Sequence, residues 1–73
     1  MPGKAPTPEI LSRRELQVLR LVCDGSTSKV IAHKLGISKQ TVAFHRTGIT
    51  KKVGERSTAM LVRWAIRNGV IKP

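Results

Sequence analysis

Apolar residues recur along this chain at three- and four-residue spacing and never in strict alternation, a pattern that predicts helices and no strands. Leu16, Leu19, Val22 and Cys23 make the first stripe. Ser12 stands before it and Glu15 three residues later, the pairing of a capping box in which each side chain satisfies an orphan backbone donor. Leu11 and Leu16 are placed to close a hydrophobic staple across this cap, and Gly25 ends the helix. A shorter second helix has Ser28 as its expected N-cap, Ile31, Ala32 and Leu35 inward, and Gly36 as its stop. Ser38 then caps a third helix from Lys39 to about Val53, with Val42, Ile49 and Val53 on one side and His45 and Arg46 flanking them. A fourth runs from Ser57 or Thr58 to about Asn68 and carries two apolar rows, Ala59, Val62 and Ile66 on one and Leu61, Trp64 and Ala65 on the other. Gly69 follows, and the tail is expected to fold back through Val70 and Ile71. The predicted class is all-α, a compact four-helix bundle.

The chain of 73 residues holds one domain at most. Residues 1–10, opening MPGKAPTP, are too rich in proline to pack and read as a flexible N-terminal linker or arm, which leaves 11–73 as the folded domain. The only aromatic residues are Phe44 and Trp64, so the core is expected to be aliphatic.

Charge changes the picture. Fourteen Lys and Arg stand against four acids, Glu9, Glu15, Asp24 and Glu55, for a net charge of +10. Like charges repel in a compact state, so such an excess points to a polyanionic partner, with nucleic acid ahead of an anionic membrane surface. Between Asp24 and Glu55 lie Lys29, Lys34, Lys39, Arg46, Lys51 and Lys52 with no carboxylate among them. Cys23 is alone, so no internal disulfide forms and a cytoplasmic location fits. No apolar run approaches the ~20 residues of a membrane span, and the first residues lack the apolar stretch of a signal peptide.

The second and third helices are joined through Gly36, with Ile37 plugging the core and Ser38 capping the next helix. This is the layout of a helix-turn-helix, in which a short Gly-containing turn lets the second helix project from the body. On a helical wheel, Gln40, Ala43, Phe44, Thr47 and Lys51 oppose the inward Val42, Ile49 and Val53. A helix lying in the major groove reads base edges from its outward face. Gln40 suits adenine, while Ala43, Phe44 and the Thr47 methyl suit thymine methyls. Lys39, Arg46, Lys51 and Lys52, with Lys29 and Lys34 on the second helix, are assigned to phosphates. Core burial is the alternative for Phe44. Gly48, in the middle of the third helix, costs about 1 kcal/mol relative to alanine; a close approach of another group and a slight bend both remain open as its reason.

These residues also resemble a known family. Leu11, Arg14, Glu15, Val18, Leu19, Leu21, Gly25, Ile31, Ala32, Leu35, Ile37, Ser38, Thr41, Val42, His45, Ile49, Lys52 and Gly54 stand as they do in the C-terminal effector domains of the LuxR/FixJ (GerE/NarL) type, a match that extends to about Ile71. The resemblance implies a four-helix, double-stranded-DNA-binding transcription regulator of bacteria, acting at the nucleoid. It also implies a homodimer on two-fold sites, with dimer contacts through the fourth helix, and RNA polymerase contact in activators. On this reading Leu61, Trp64 and Ala65 are the candidate dimer or partner surface, with closure of the core as the alternative for Trp64. The family often has a basic residue where Ala43 stands and another at Thr47; their absence shifts base readout toward Phe44, Thr47 and DNA shape.

Other classes compete less well. A sigma-like promoter-reading domain shares the LSxRExxVL opening but usually lacks the histidine at position 45 and the amphipathic fourth helix. A pure protein-interaction module would use Trp64 and Leu61 and leave the basic stripe without a purpose. A peptide folding on lipid does not need three capped helices. Enzymatic chemistry is not expected, because no carboxylate pair, triad or phosphate loop is present. His33, His45 and Cys23 share no ligand spacing, so neither metal nor cofactor is expected.

Overall fold

The computed structural model describes residues 10–72. Four helices follow one another, α1 (Arg13–Cys23), α2 (Ser28–Leu35), α3 (Lys39–Val53) and α4 (Thr58–Arg67), and the described residues contain no strand. The fold class is therefore the all-α four-helix arrangement anticipated from the spacing. The linker expected over 1–10 lies outside the described residues except for Ile10.

Local chemistry places each boundary. The capping box at α1 is formed, with Ser12 Oγ accepting from the Glu15 amide at 3.1 Å and Glu15 Oε1 accepting from the Ser12 amide at 2.8 Å. The N-cap of α2 is Thr27 rather than Ser28. Thr27 has the extended backbone a cap requires, and its Oγ1 accepts from the Val30 amide at 3.2 Å, so Ser28 becomes the first helical residue. Ser38 and Ser57 cap α3 and α4 in the same way.

The turn between α2 and α3 depends on Gly36, whose φ of 68° lies in the left-handed region that residues with a Cβ avoid. That conformation lets the Ile37 amide reach back to the Ala32 carbonyl at 3.0 Å and tucks the half-buried Ile37 against the core. With α2 stopped in this way, only Ile37 and Ser38 stand between Gly36 and the start of α3 at Lys39.

The core joins all four helices: Val18, Leu19 and Val22 from α1, Ile31 and Ala32 from α2, Val42 and Ile49 from α3, and Leu61, Trp64 and Ala65 from α4, closed by Leu11 and Val70. Helix α1 packs mainly on α3 and α4, and α2 packs mainly on α3. The buried face of α1 is turned from the one expected. Glu15 and Val18 lie inside with Leu19 and Val22, while Leu16 and Cys23 sit half-buried at the edges.

The larger correction concerns α4. Leu61, Trp64 and Ala65, the candidate partner surface, are 1%, 6% and 0% exposed and belong to the monomer's own core. The other apolar row faces outward, with Ala59 exposed and Val62 and Ile66 half-buried. Burial of the Trp64 row is reinforced by the tail, where the Val70 amide donates to the Ala65 carbonyl at 2.8 Å and brings Val70 down onto the same cluster.

Candidate nucleic-acid interface

Helix α3 separates its residues by solubility. Val42 and Ile49 are buried, whereas Lys39, Gln40, Ala43, Phe44, Thr47 and Lys51 are exposed along the opposite side. All four residues expected to read bases therefore share one open face, and Phe44 is 74% exposed rather than in the core. The His45 ring stands edge-on to Phe44, with centroids 5.7 Å apart and planes at 68°. Thr50 donates its hydroxyl to the Thr47 carbonyl at 2.9 Å, so that hydroxyl is turned back onto its own helix.

The cations expected at phosphates divide into two groups. Lys29 and Lys34 on α2 and Lys39 and Lys51 on α3 are exposed, and Arg46 is half-buried beside the reading face. Lys52 is engaged elsewhere: its Nζ lies 2.8 Å from Glu15 Oε1, an ion pair that ties the last turn of α3 to the first turn of α1. Lys52 thus has a partner within the fold, which sets it apart from the other cations expected at phosphates. Burial pushes the Glu15 carboxyl upward, but hydrogen bonds from Lys52 and the Ser12 amide, with the charge of Lys52, outweigh it and hold the group below its ordinary value.

Gly48 belongs to the same arrangement. A Cβ at this position would lie 2.5 Å from Glu15 Oε2. Of the two reasons left open by its place in the sequence, the structure supplies the close approach: α3 lacks a side chain at residue 48 because the Glu15 carboxylate occupies that space.

For Arg56 the sequence leaves a solvated face, a polymerase contact and a DNA-backbone contact all open. An open cleft of about 620 Å³ at the C-terminal end of the reading face is lined by Thr47, Thr50, Lys51, Gly54 and Arg56. The signal that points to Arg56 is its position just beyond the αL glycine that ends α3, Gly54, which turns the chain back toward the helix. Elsewhere, burial and the neighbouring Asp24 charge push the Cys23 thiol up, away from the reactive thiolate form. Among the described residues, no three His, Cys, Asp or Glu side chains gather where a metal ion could be held.

Two helices joined by a tight left-handed turn, the second presenting an uncovered polar and aromatic face between exposed lysines, define a DNA-binding helix-turn-helix. Residues 9–65 match the GerE profile, the luxR family of bacterial regulatory proteins, and the chain belongs to that family. It is 43% identical over 60 residues to the uncharacterized response regulatory protein YgeK of Escherichia coli K12, an alignment covering 82% of this chain and 41% of that protein. It is 41% identical over 64 residues to the oxygen regulatory protein NreC of Staphylococcus aureus JH9, covering 88% of this chain and 30% of that protein. The chain thus spans less than half the length of these curated relatives. Domains of this family are DNA-binding transcription regulators and not catalysts.

Proposed function

We propose that α3 enters the major groove of double-stranded DNA with Gln40, Ala43, Phe44 and Thr47 against base edges. Lys29, Lys34, Lys39, Arg46 and Lys51 would hold the flanking phosphates, joined by Arg56 across the cleft at the end of α3. The observation that carries this reading is the division of α3: one side is closed into the core by Val42 and Ile49, and the other leaves Phe44 open to solvent between exposed cations. A helix of this kind fits the width of the major groove, and the net charge of +10 supplies attraction to the duplex.

Two copies would occupy two-fold sites. With Leu61, Trp64 and Ala65 in the core, the surface left for pairing on α4 is the outer row of Ala59, Val62 and Ile66. Both relatives are named as regulatory proteins, and the role proposed for this chain is the DNA-binding part of a bacterial regulator of that kind. Selection from a random duplex library with the purified chain, followed by titration of the enriched duplexes at several salt concentrations, tests the reading. Enrichment of a shared sequence with steeply salt-dependent binding is expected; a library that returns no shared sequence would remove the proposal.

A further inference from the structure

We propose that this chain discriminates DNA through the C5-methyl groups of pyrimidines, accepting thymine and 5-methylcytosine alike, with the Phe44 ring as the reading group and Ala43 and the Thr47 methyl beside it. The inference rests on the placement of α3 in the major groove proposed above.

The argument begins with what the centre of the reading face lacks. In the major groove a lysine or arginine reads guanine, an amide reads adenine, a carboxylate reads the cytosine amino group, and an apolar group reads the thymine methyl. On α3 the exposed lysines stand toward the ends of the face, Lys39 at the first residue and Lys51 in the last turn, and the amide of Gln40 lies at the N-terminal end. The middle is held by Ala43, Phe44 and Thr47, with neither a cation nor a carboxylate. With Arg46, half-buried beside this face, assigned to a phosphate, the central base pairs meet no exposed group that distinguishes guanine or the cytosine amino group by charge.

What the middle offers is apolar surface. Phe44 is 74% exposed, against 42% for Ile10 and 41% for Val30, the other large apolar side chains in the open. The edge-on His45 ring lies along one side of it and limits the directions in which the phenyl can swing. An aromatic ring brought against base edges finds its largest apolar partner in the groove at a pyrimidine C5-methyl. Thymine carries that methyl and cytosine carries hydrogen at the same position. Methylation of cytosine places an identical group at an equivalent point of the groove wall, so a ring that selects thymine by its methyl accepts 5-methylcytosine in its place. Binding to a site with cytosine at the Phe44 position then rises when that cytosine is methylated, which makes occupancy responsive to the methylation state of the DNA.

The test starts from duplexes selected by the purified chain. Each thymine of the enriched site is replaced singly by deoxyuridine, which removes only the methyl, and each cytosine-for-thymine variant is made with and without a 5-methyl group. Loss of one buried methyl contact corresponds to about fourfold in affinity. At one or two central positions uracil is expected to weaken binding about fourfold, and 5-methylcytosine to recover most of what cytosine loses. In Phe44→Ala, whose missing ring is not part of the core, these differences should shrink to less than twofold. Uracil tolerated at every position, or a thymine preference that survives in Phe44→Ala, overturns the inference and leaves the groove reading standing. A selection that enriches no sequence removes both. An unchanged set of DNA affinities in Phe44→Ala would show that the exposed ring does not meet the DNA and equally overturn the inference.

Discussion

The Lys52 ammonium lies 2.8 Å from Oε1 of Glu15, the same oxygen that accepts the Ser12 amide, so a single carboxylate oxygen caps α1 and fastens the end of α3 to its beginning. The Glu15 side chain is 10% exposed and that of Lys52 43%, so the two partners are not equivalent. Removing the lysine leaves a buried charge with less compensation, whereas removing the acid leaves an ammonium that water can reach. Lys52→Met is therefore expected to cost about 1–2 kcal/mol, below the range for fully buried pairs because solvent screens this one. Thermal or urea denaturation followed by circular dichroism measures it, and an unchanged midpoint would refute the structural role of the pair.

The same carboxylate predicts a pH dependence. Its pKa in the folded state is lowered from the ordinary 4.5, so the folded chain binds fewer protons there than the unfolded chain. The stability it contributes is present in full above the ordinary carboxylate value and is lost as pH falls through the lower, folded-state value. Glu15→Gln keeps the size and an acceptor oxygen but does not titrate. The difference in unfolding midpoint between wild type and Glu15→Gln should be largest near pH 7 and shrink below pH 4. A difference that stays constant down to pH 2.5 would show that protonation of Glu15 is not linked to folding.

Gly48 offers a test by coupling. Alanine in a helix interior is worth about 1 kcal/mol over glycine, yet a Cβ here would sit 2.5 Å from Glu15 Oε2. The carboxylate would have to leave a position held by two hydrogen bonds, each worth about 1 kcal/mol or more because the acceptor is charged. Gly48→Ala should therefore destabilise the wild type by about 1 kcal/mol and stabilise Glu15→Ala by about 1 kcal/mol. Additive behaviour of the two substitutions in a double-mutant cycle would mean that the two sites do not meet.

Helix α4 separates stability from association. Leu61→Ala should cost about 2–5 kcal/mol and Trp64→Ala about 3–5 kcal/mol, the range for large side chains removed from a core, since both are buried. Val62→Glu or Ile66→Glu, on the half-buried outer row, should retain most of the helical signal and weaken binding to paired half-sites more than to a single half-site. Equal losses on paired and single half-sites would take this row out of the pairing surface.

What could be read in the sequence was local. The capping box at Ser12, the turn at Gly36, the cap at Ser38 and the open face from Gln40 to Lys51 are all set by residues within a turn or two of each other, and each is found as the spacing indicates. What could not be read was set by distant partners. Glu15 is drawn inside by a lysine 37 positions away, and that rotates the buried side of α1 toward Val18. Gly48 is explained only once Glu15 has been placed. The two apolar rows of α4 are equally hydrophobic as a pattern, and the choice between them is made by α1 and by the tail that returns through Val70.

Lys51 and Lys52 are neighbours in sequence with different surroundings, and DNA binding should separate them. Each phosphate contact of a protein releases condensed counterions, so log K falls with log salt at about 0.9 per contact. Lys51 is exposed on the reading side of α3 and lines the cleft with Arg56. Lys51→Ala should therefore weaken binding to all duplexes alike and reduce the salt slope by about one. Thr47→Ala should leave the slope unchanged and alter which sequence is preferred. Lys52→Met, whose ammonium is held by Glu15, should lower stability while leaving the salt slope within half a unit of wild type under conditions where the chain is folded. A full unit of slope lost in Lys52→Met would mean that the ion pair opens on DNA and that the lysine moves from the carboxylate to a phosphate.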